Sequence, residues 1–234
     1  MSEPSKSRAR RAGKRLTKWW LGAIELTPRE LGAEIAVVQA WRKQHSYPLA
    51  LTTPSLRKWV GEETDLRPVP VAQRMKQLTT IVQKLGRHPG MNIDRMQDIA
   101  GCRGILPDSA AIDRVADKIH RNWEVVGDDD YRDAGKPLTG YRARHLIVVR
   151  RERRVEIQLR TPQQHRWAEI VASTGERLGY GLKDGRGPAD LLEYFRMASE
   201  LLWLGEQGRR MSPSQRKRFA ELREAVRPYF APRD

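Results

Sequence analysis

Val155-Glu156-Ile157-Gln158-Leu159-Arg160-Thr161, followed at once by Pro162, is the stretch on which the fold turns. Its residues alternate strictly. Val155, Ile157 and Leu159 point one way and Glu156, Gln158 and Arg160 the other, as on a strand with one face on a core and one face open. Immediately upstream, the apolar run Arg144–Val149 leads into Arg150, Arg151, Glu152 and Arg153, so the two runs read as an antiparallel hairpin with a polar connection. Downstream, Pro162 opens a helix that reaches about Leu178.

Further out, Ile99–Leu106 is a short apolar run closed by Pro107 and reads as a buried strand. Asp108 or Ser109 caps a helix to Asn122, and Trp123–Val126 is another strand. Val71, Met75, Leu78, Val82 and Leu85 recur at helical spacing and predict one helix over this stretch, with Arg74 and Lys84 leaning to a common side and Lys76 elsewhere. Helices are expected from Pro28 to about His45, from Pro54 to Glu62, and near 188–205 and 213–226. The expected class is mixed α/β, with a central sheet of about five strands flanked by helices. The expected organisation is a basic N-terminal arm over 1–27, helices over 28–66, a catalytic domain over 67–185, and basic C-terminal helices over 186–234. Residues 1–18 hold seven Lys or Arg and one Glu, and predict a disordered arm.

Composition narrows the class. Among 234 residues, 44 Lys and Arg against 29 Asp and Glu give a net charge of +15, and 33 of the 44 are Arg. Guanidinium forks match phosphate oxygens, so a polyanionic partner is expected. One cysteine excludes an intrachain disulfide framework and a cysteine-based zinc site. The apolar stretch Trp19–Leu26 is too short to span a membrane, and a cytoplasmic protein without a membrane span is expected. No repeat of solenoid period is present.

The polar residues of the open strand face have ordered company. Arg74-Met-Lys76 and Thr80-Ile-Val-Gln-Lys84 come first, then Asp98-Ile-Ala-Gly-Cys-Arg103. Asp130-Tyr131, Lys136-Pro137 and Gly140-Tyr-Arg-Ala-Arg-His145 follow, and Glu156–Thr161 closes the series. This order resembles the synthetase domain of the RelA/SpoT alarmone enzymes, above all the small alarmone synthetases. Their blocks read R-x-K…S-I-x-x-K, D-I/L-x-G-x-R, D-Y…K-P-x-G-Y-x-S-x-H and E-I/V-Q-I/L-R-T. Thr80 replaces the serine, Ala143-Arg144 departs from the acceptor block, and the resemblance covers about residues 51–185.

The resemblance implies a nucleotidyltransferase-like fold and an ATP-dependent pyrophosphokinase using Mg²⁺, which moves the β,γ-pyrophosphoryl group of ATP to a ribose 3′-hydroxyl. It implies Asp98 and Glu156 as catalytic carboxylates and metal ligands, close enough to share the ion, with Glu156 either holding metal or accepting the hydroxyl proton. ATP would meet Arg74, Lys76, Lys84 and Arg103. The acceptor would meet Lys136, Tyr141 as the stacking ring, His145, Gln158 and Arg160, with His165 and Glu169 as weaker candidates. No histidine is followed by Asp, so the His-Asp pair of the family's hydrolase domain is missing.

Two acceptors are open. One is GDP or GTP, giving guanosine tetra- or pentaphosphate. The other is the 3′-CCA end of tRNA, the target of translation-inhibiting family members paired with an antitoxin protein. Basic clusters at 6–18, 142–154 and 209–218 lean to tRNA, held by Arg150, Arg151, Arg153, Arg154, Arg209, Arg210, Arg216, Lys217 and Arg218. An inactive RNA-binding module is the alternative outside the enzymes, ranked last because both carboxylates are present.

Overall fold

The computed structural model describes residues 3–231. Three helices lead the chain: α1 (Lys6–Trp20), α2 (Pro28–Lys43) and α3 (Ser46–Gly61). β1 (Val71–Met75), α4 (Leu78–Arg87) and β2 (Ala100–Ile105) follow, then α5 (Ser109–Asn122) and β3 (Val125–Asp130). The hairpin β4 (Arg144–Arg150) and β5 (Arg153–Arg160) precedes α6 (Pro162–Leu178), α7 (Ala189–Glu206) and α8 (Pro213–Phe230). As expected from the sequence, the class is mixed α/β with one five-stranded mixed sheet; its strand order is β1-β2-β5-β4-β3. No described helix is long and apolar enough to cross a membrane.

Contacts divide the chain into two compact units. Of the described residues, one holds 3–104, 116–127 and 146–158; the other holds 105–115, 128–145 and 159–231. In the first, α1, α2 and α4 share a core of Leu16, Val38, Trp41, Ile81 and Leu85 with Ile93 and Ile99. In the second, Trp167 and Val171 of α6 pack with Leu191 and Phe195 of α7 and Val226 of α8.

The hairpin and α6 match the sequence reading. Val155, Ile157 and Leu159 are fully buried and alternate with the partly exposed Glu156 and Gln158. Arg151 and Glu152 turn the chain with φ of 49° and 61°, the left-handed pair of a two-residue hairpin turn. Thr161 caps α6 with a capping box to Gln164, and Pro162 takes the first helical turn.

Four expectations are corrected. Val71–Leu85 is not one helix. Val71–Met75 pairs antiparallel with β2, Val71 opposite Gly104 and Met75 opposite Ala100, and the helix starts only at Leu78. The apolar spacing of four and three ran across a strand–helix joint, and pairing with β2 outweighed the local pattern. The N-terminal segment is not a loose arm. Ala9, Ala12, Gly13 and Leu16 recur at steps of three, one and three and bury one stripe of α1, while Ser5 caps it by accepting from the Arg8 backbone N–H. Gly13 lets Ile93 approach, since a Cβ there would lie 3.3 Å from Ile93 Cγ2. Finally, β3 runs to Asp130 rather than ending at Val126, and α3 starts at Ser46 rather than Pro54. Residues 1, 2 and 232–234 of the terminal ranges lie outside the described residues.

Candidate functional site

In the first unit the site is built on β1, β2 and β5, with Lys84 reaching it from the last turn of α4. Residues directly opposite in an antiparallel pair share a face. Arg74 lies opposite Gly101, and Arg103 lies opposite Ala72, so Arg74 and Arg103 stand on one face. Gly101 also abuts β5. A Cβ added there would come within 3.2 Å of the Glu156 carbonyl oxygen and 3.7 Å of its Oε2, so Glu156 stands on that same face. Gln158, two residues on, shares it, and its Nε2 donates to Glu156 Oε2 at 2.7 Å. Gly101 was quoted in the sequence motif but given no role. Its role is steric: a Cβ here would crowd the β5 backbone beside the carboxylate.

Asp98 precedes β2. Its Oδ2 accepts from Lys76 Nζ at 2.7 Å and from Lys84 Nζ at 2.8 Å. The expectation that Lys76 points elsewhere is therefore overturned, because residues 71–75 form a strand. The Lys76 backbone N–H donates to Ile99 O at 2.8 Å, continuing the β1–β2 pairing toward Asp98. Arg42 of α2, which the sequence did not single out, fixes the same residue by donating to Lys76 O at 2.6 Å. Burial alone would raise the Asp98 carboxyl, but hydrogen bonds and charge from Lys76 and Lys84 overcome it and hold the group below the usual carboxylate range. The free Cys102 is buried among apolar atoms; burial, with the Glu156 charge, pushes its thiol up to about 12, so it is no nucleophile.

Asp98 Oδ1 is buried and has no hydrogen-bond partner. An orphaned carboxylate oxygen suits a hard cation, as do the oxygens of Glu156. Among the described residues no group of three or more His, Cys, Asp or Glu side chains converges on a metal position. Asp98 Oδ1 is the carboxylate oxygen here that is left without a partner among the described residues.

The second unit holds a cluster of rings. Arg160, buried to 6% exposure, donates from Nη2 to the Tyr141 hydroxyl at 2.7 Å, with its guanidinium carbon 5.0 Å from the ring centre. The Tyr141 hydroxyl also shares a hydrogen bond with His145 Nε2, 2.6 Å away, its direction set by the imidazole tautomer. His145 meets the Tyr141 and Tyr131 rings edge-on, with centroids 5.5 and 5.7 Å apart. Lys136 Nζ sits 4.5 Å from the Tyr131 centroid and 5.4 Å from that of Tyr141. Tyr131, carried in the sequence by the Asp-Tyr pair, was missed as a member of this cluster.

Gly140, just before Tyr141, has φ +76°, and a Cβ there would lie 2.9 Å from Arg196 Cα. Both the left-handed backbone and the close approach demand glycine. The departing pair Ala143-Arg144 is absorbed by the fold. Ala143 is fully buried, and Arg144 pairs with Asp128 at 2.8 Å and Asp113 at 3.0 Å. His165 and Glu169 face each other on α6 at 3.8 Å.

The cations expected to meet tRNA divide into two sets. Arg150 stacks on Trp123, and Arg153 stacks on Trp41 while donating to Gln44 Oε1. Arg154 donates to Arg95 O, and Arg218 pairs with Glu193 and Glu221. The C-terminal cluster, acid-free in sequence, therefore acquires acids in space. Arg151, Arg210, Arg216 and Lys217 are exposed, as is Arg209, which lies over the Trp203 ring.

Residues 73–175 match a family model described as a region found in RelA / SpoT proteins. Uncharacterised proteins of Mycobacterium tuberculosis and Mycobacterium bovis are 31% identical over 140 residues, covering 58% of this chain and 48% of theirs. The chain thus spans about half the length of these curated relatives. Among solved structures, small alarmone synthetase 2 from Bacillus subtilis superposes with a TM-score of 0.60 at 23% identity, over 73% of this chain and 94% of that one. Small alarmone synthetase 1 from the same organism, bound to its product pppGpp, gives 0.56 at 26% identity, over 80% and 94%. Residues 73–175 thus resemble the RelA/SpoT region, and the chain shares the fold of the small alarmone synthetases.

Proposed function

We propose that this protein is a pyrophosphokinase whose preferred acceptor is the 3′-terminal ribose of tRNA. The observation that carries the transfer is the Asp98 carboxylate, closed on one oxygen by Lys76 and Lys84 and left unpartnered on the other. In the reaction the ribose 3′-oxygen attacks the β-phosphorus of ATP, the bond from that phosphorus to the α,β-bridging oxygen breaks, and AMP leaves. Such a transfer depends on positioning and charge neutralisation. Lys76, Lys84, Arg74 and Arg103 would hold the triphosphate, and Glu156, oriented by Gln158, would take the hydroxyl proton. Asp98 and Glu156 would hold Mg²⁺, which supplies further charge neutralisation when bound. Tyr141 would stack on the acceptor base, steadied by Arg160 and His145.

The tRNA reading rests on the exposed Arg209, Arg210, Arg216 and Lys217, which belong to the same unit as the ring cluster. A longer polyanion gains from such cations through counterion release. An enzyme of this kind would block translation in the cytoplasm and require an antitoxin partner. A free guanine nucleotide is the second reading, favoured by the likeness to a synthetase holding pppGpp. Incubation with γ-labelled ATP and either tRNA or GDP and GTP separates them. Labelled tRNA that falls steeply with added salt, and falls again when the four exposed cations are changed to Glu, supports the first. Brisk nucleotide turnover indifferent to those changes establishes the second.

A further inference from the structure

Arg142 belongs by sequence to the basic cluster at 142–154, yet in the second unit it is buried to 6% exposure. It follows Tyr141 of the ring cluster, but its side chain runs to α7, where the guanidinium carbon lies 5.0 Å from the Trp203 ring centre. Nη1 donates to two backbone carbonyls, Arg132 O at 2.5 Å and Asp133 O. Nε donates to Ser199 Oγ at 3.2 Å, and that hydroxyl donates in turn to Gly140 O at 2.5 Å. Arg132 and Asp133 lie near the start of the segment between β3 and β4, and Gly140 near its end. One guanidinium and one hydroxyl therefore tie both limbs of this loop to α7.

The loop so tied carries the ring cluster. Tyr131 stands just before one limb and Tyr141 just after the other, with Lys136 between them, its Nζ near both rings. Inside the loop the Lys136 backbone N–H donates to Tyr141 O at 2.9 Å, and that of Gly140 donates to Lys136 O at 2.7 Å. Those bonds fold the loop on itself, whereas Arg142 and Ser199 fix it against a helix. The approach is close: a Cβ on Gly140 would also lie 3.1 Å from Ser199 Cβ. Leu138, within the loop, packs on Gly185, where an added Cβ would come within 3.0 Å of it. Gly185, Ser199 and Trp203 all follow residue 175, so the bracing comes from a segment outside the region matched by the family model.

We propose that Arg142 and Ser199 are positioning residues for the acceptor, which set the spacing of Tyr131, Lys136 and Tyr141 by holding both limbs of their loop. This rests on the reading of the ring cluster as the acceptor site. The two residues act through backbone carbonyls rather than on the acceptor itself. A guanidinium suits the task because its fixed fork of donors spans two carbonyls and a hydroxyl at once, whereas an ammonium is a single point. Loss of the Ser199 hydroxyl deprives Arg142 Nε and Gly140 O together, so a small change on α7 reaches the rings.

Steady-state transfer from labelled ATP by the full chain, with tRNA and with GDP as acceptor in separate series, tests this beside a thermal melt. Ser199→Ala removes the hydroxyl without adding bulk, and Arg142→Lys keeps the charge but not the fork. Ser199→Ala should raise KM for the acceptor about tenfold, the scale of one hydrogen bond to a charged group. Its kcat and its KM for ATP should stay within about twofold of the parent, a split that a general loss of structure would not give. Arg142→Lys should act in the same direction, and the double variant should lose no more than the worse single, because the two side chains work as one unit. The proposal is overturned if Ser199→Ala leaves acceptor KM unmoved while Tyr141→Ala lowers acceptor kcat/KM, if KM for ATP rises in step, or if the two losses multiply. A parent chain inactive with both acceptors, or Tyr141→Ala with unchanged acceptor kcat/KM, overturns the reading of the ring cluster and this proposal with it.

Discussion

The carboxylate cluster of the first unit and the ring cluster of the second hold their groups by opposite means. Asp98 is fixed by two lysines, and the charges that fix it are those proposed to act on the triphosphate. Tyr141 is fixed by an arginine, a histidine and packing against Trp167, whose Nε1 donates to Phe195 O at 2.9 Å. In the first, structure and chemistry reside in the same atoms, so a change there moves both. In the second they are separable, because the ring can stack while the hydroxyl only steadies it. The difference says which substitutions will be clean and which will not.

The largest expected effect is at Glu156. Glu156→Gln keeps an oxygen to accept from Gln158 and adds no bulk, so the fold should hold while turnover falls by about a thousandfold, within the range for a lost general base. Single-turnover transfer from labelled ATP, beside a thermal melt, measures both. Near-normal turnover would make Glu156 a structural residue. Asp98→Asn comes next and should not be clean. Turnover should fall by about a hundredfold, and stability by about 2 kcal/mol, because Lys76 and Lys84 lose a partly buried counter-charge. An Asp98→Asn protein with unchanged melting would break the claim that one set of atoms serves both ends.

At Tyr141 the two ends should come apart. Tyr141→Ala removes the ring and should lower kcat/KM for the acceptor by about thirtyfold, a loss of roughly 2 kcal/mol of stacking. Tyr141→Phe keeps the ring and removes only the link between Arg160 and His145. It should change kcat/KM about threefold, mostly through KM. Equal losses in both variants would show that the hydroxyl, not the ring, does the recognition.

How far the sequence reveals these two regions follows from the range of the forces involved. The hairpin and α6 are legible because local signals agree with tertiary ones: strict alternation at Val155–Leu159, and Thr161-Pro162 with Gln164 at the helix start. β1 is not, because Val71–Met75 is a strand only by virtue of its partner β2, and that pairing has no local signature. The same error misdirected Lys76, whose reach to Asp98 depends on strand geometry. In α1 the stripe Ala9, Ala12, Gly13 and Leu16 is visible in sequence but outweighed by seven basic residues around it. Charge density marks solvent exposure of one face and says nothing of the other. The basic clusters mislead in the opposite sense, since Arg153 and Arg218 meet partners 109 and 25 residues away.

The smallest expected effect concerns pH. Asp98 is held below its ordinary range, so the folded state releases its proton more readily than the unfolded chain does. A depressed carboxyl contributes stability that is complete above the unfolded Asp value of about 3.9 and is lost as pH falls through the lower folded value. The stability gap between the parent and Asp98→Asn should therefore be constant from neutral pH down to about pH 5 and close below pH 4. The ring cluster supplies the control. Trp167→Phe removes a neutral hydrogen bond and some packing, with no titrating group of its own. Its deficit should persist across the same acid range. Denaturant melts of the three proteins at stepped pH would show one gap closing and the other staying open. Parallel closure of both would mean that acid loosens the whole chain before Asp98 titrates, and that the two clusters are not held by different forces.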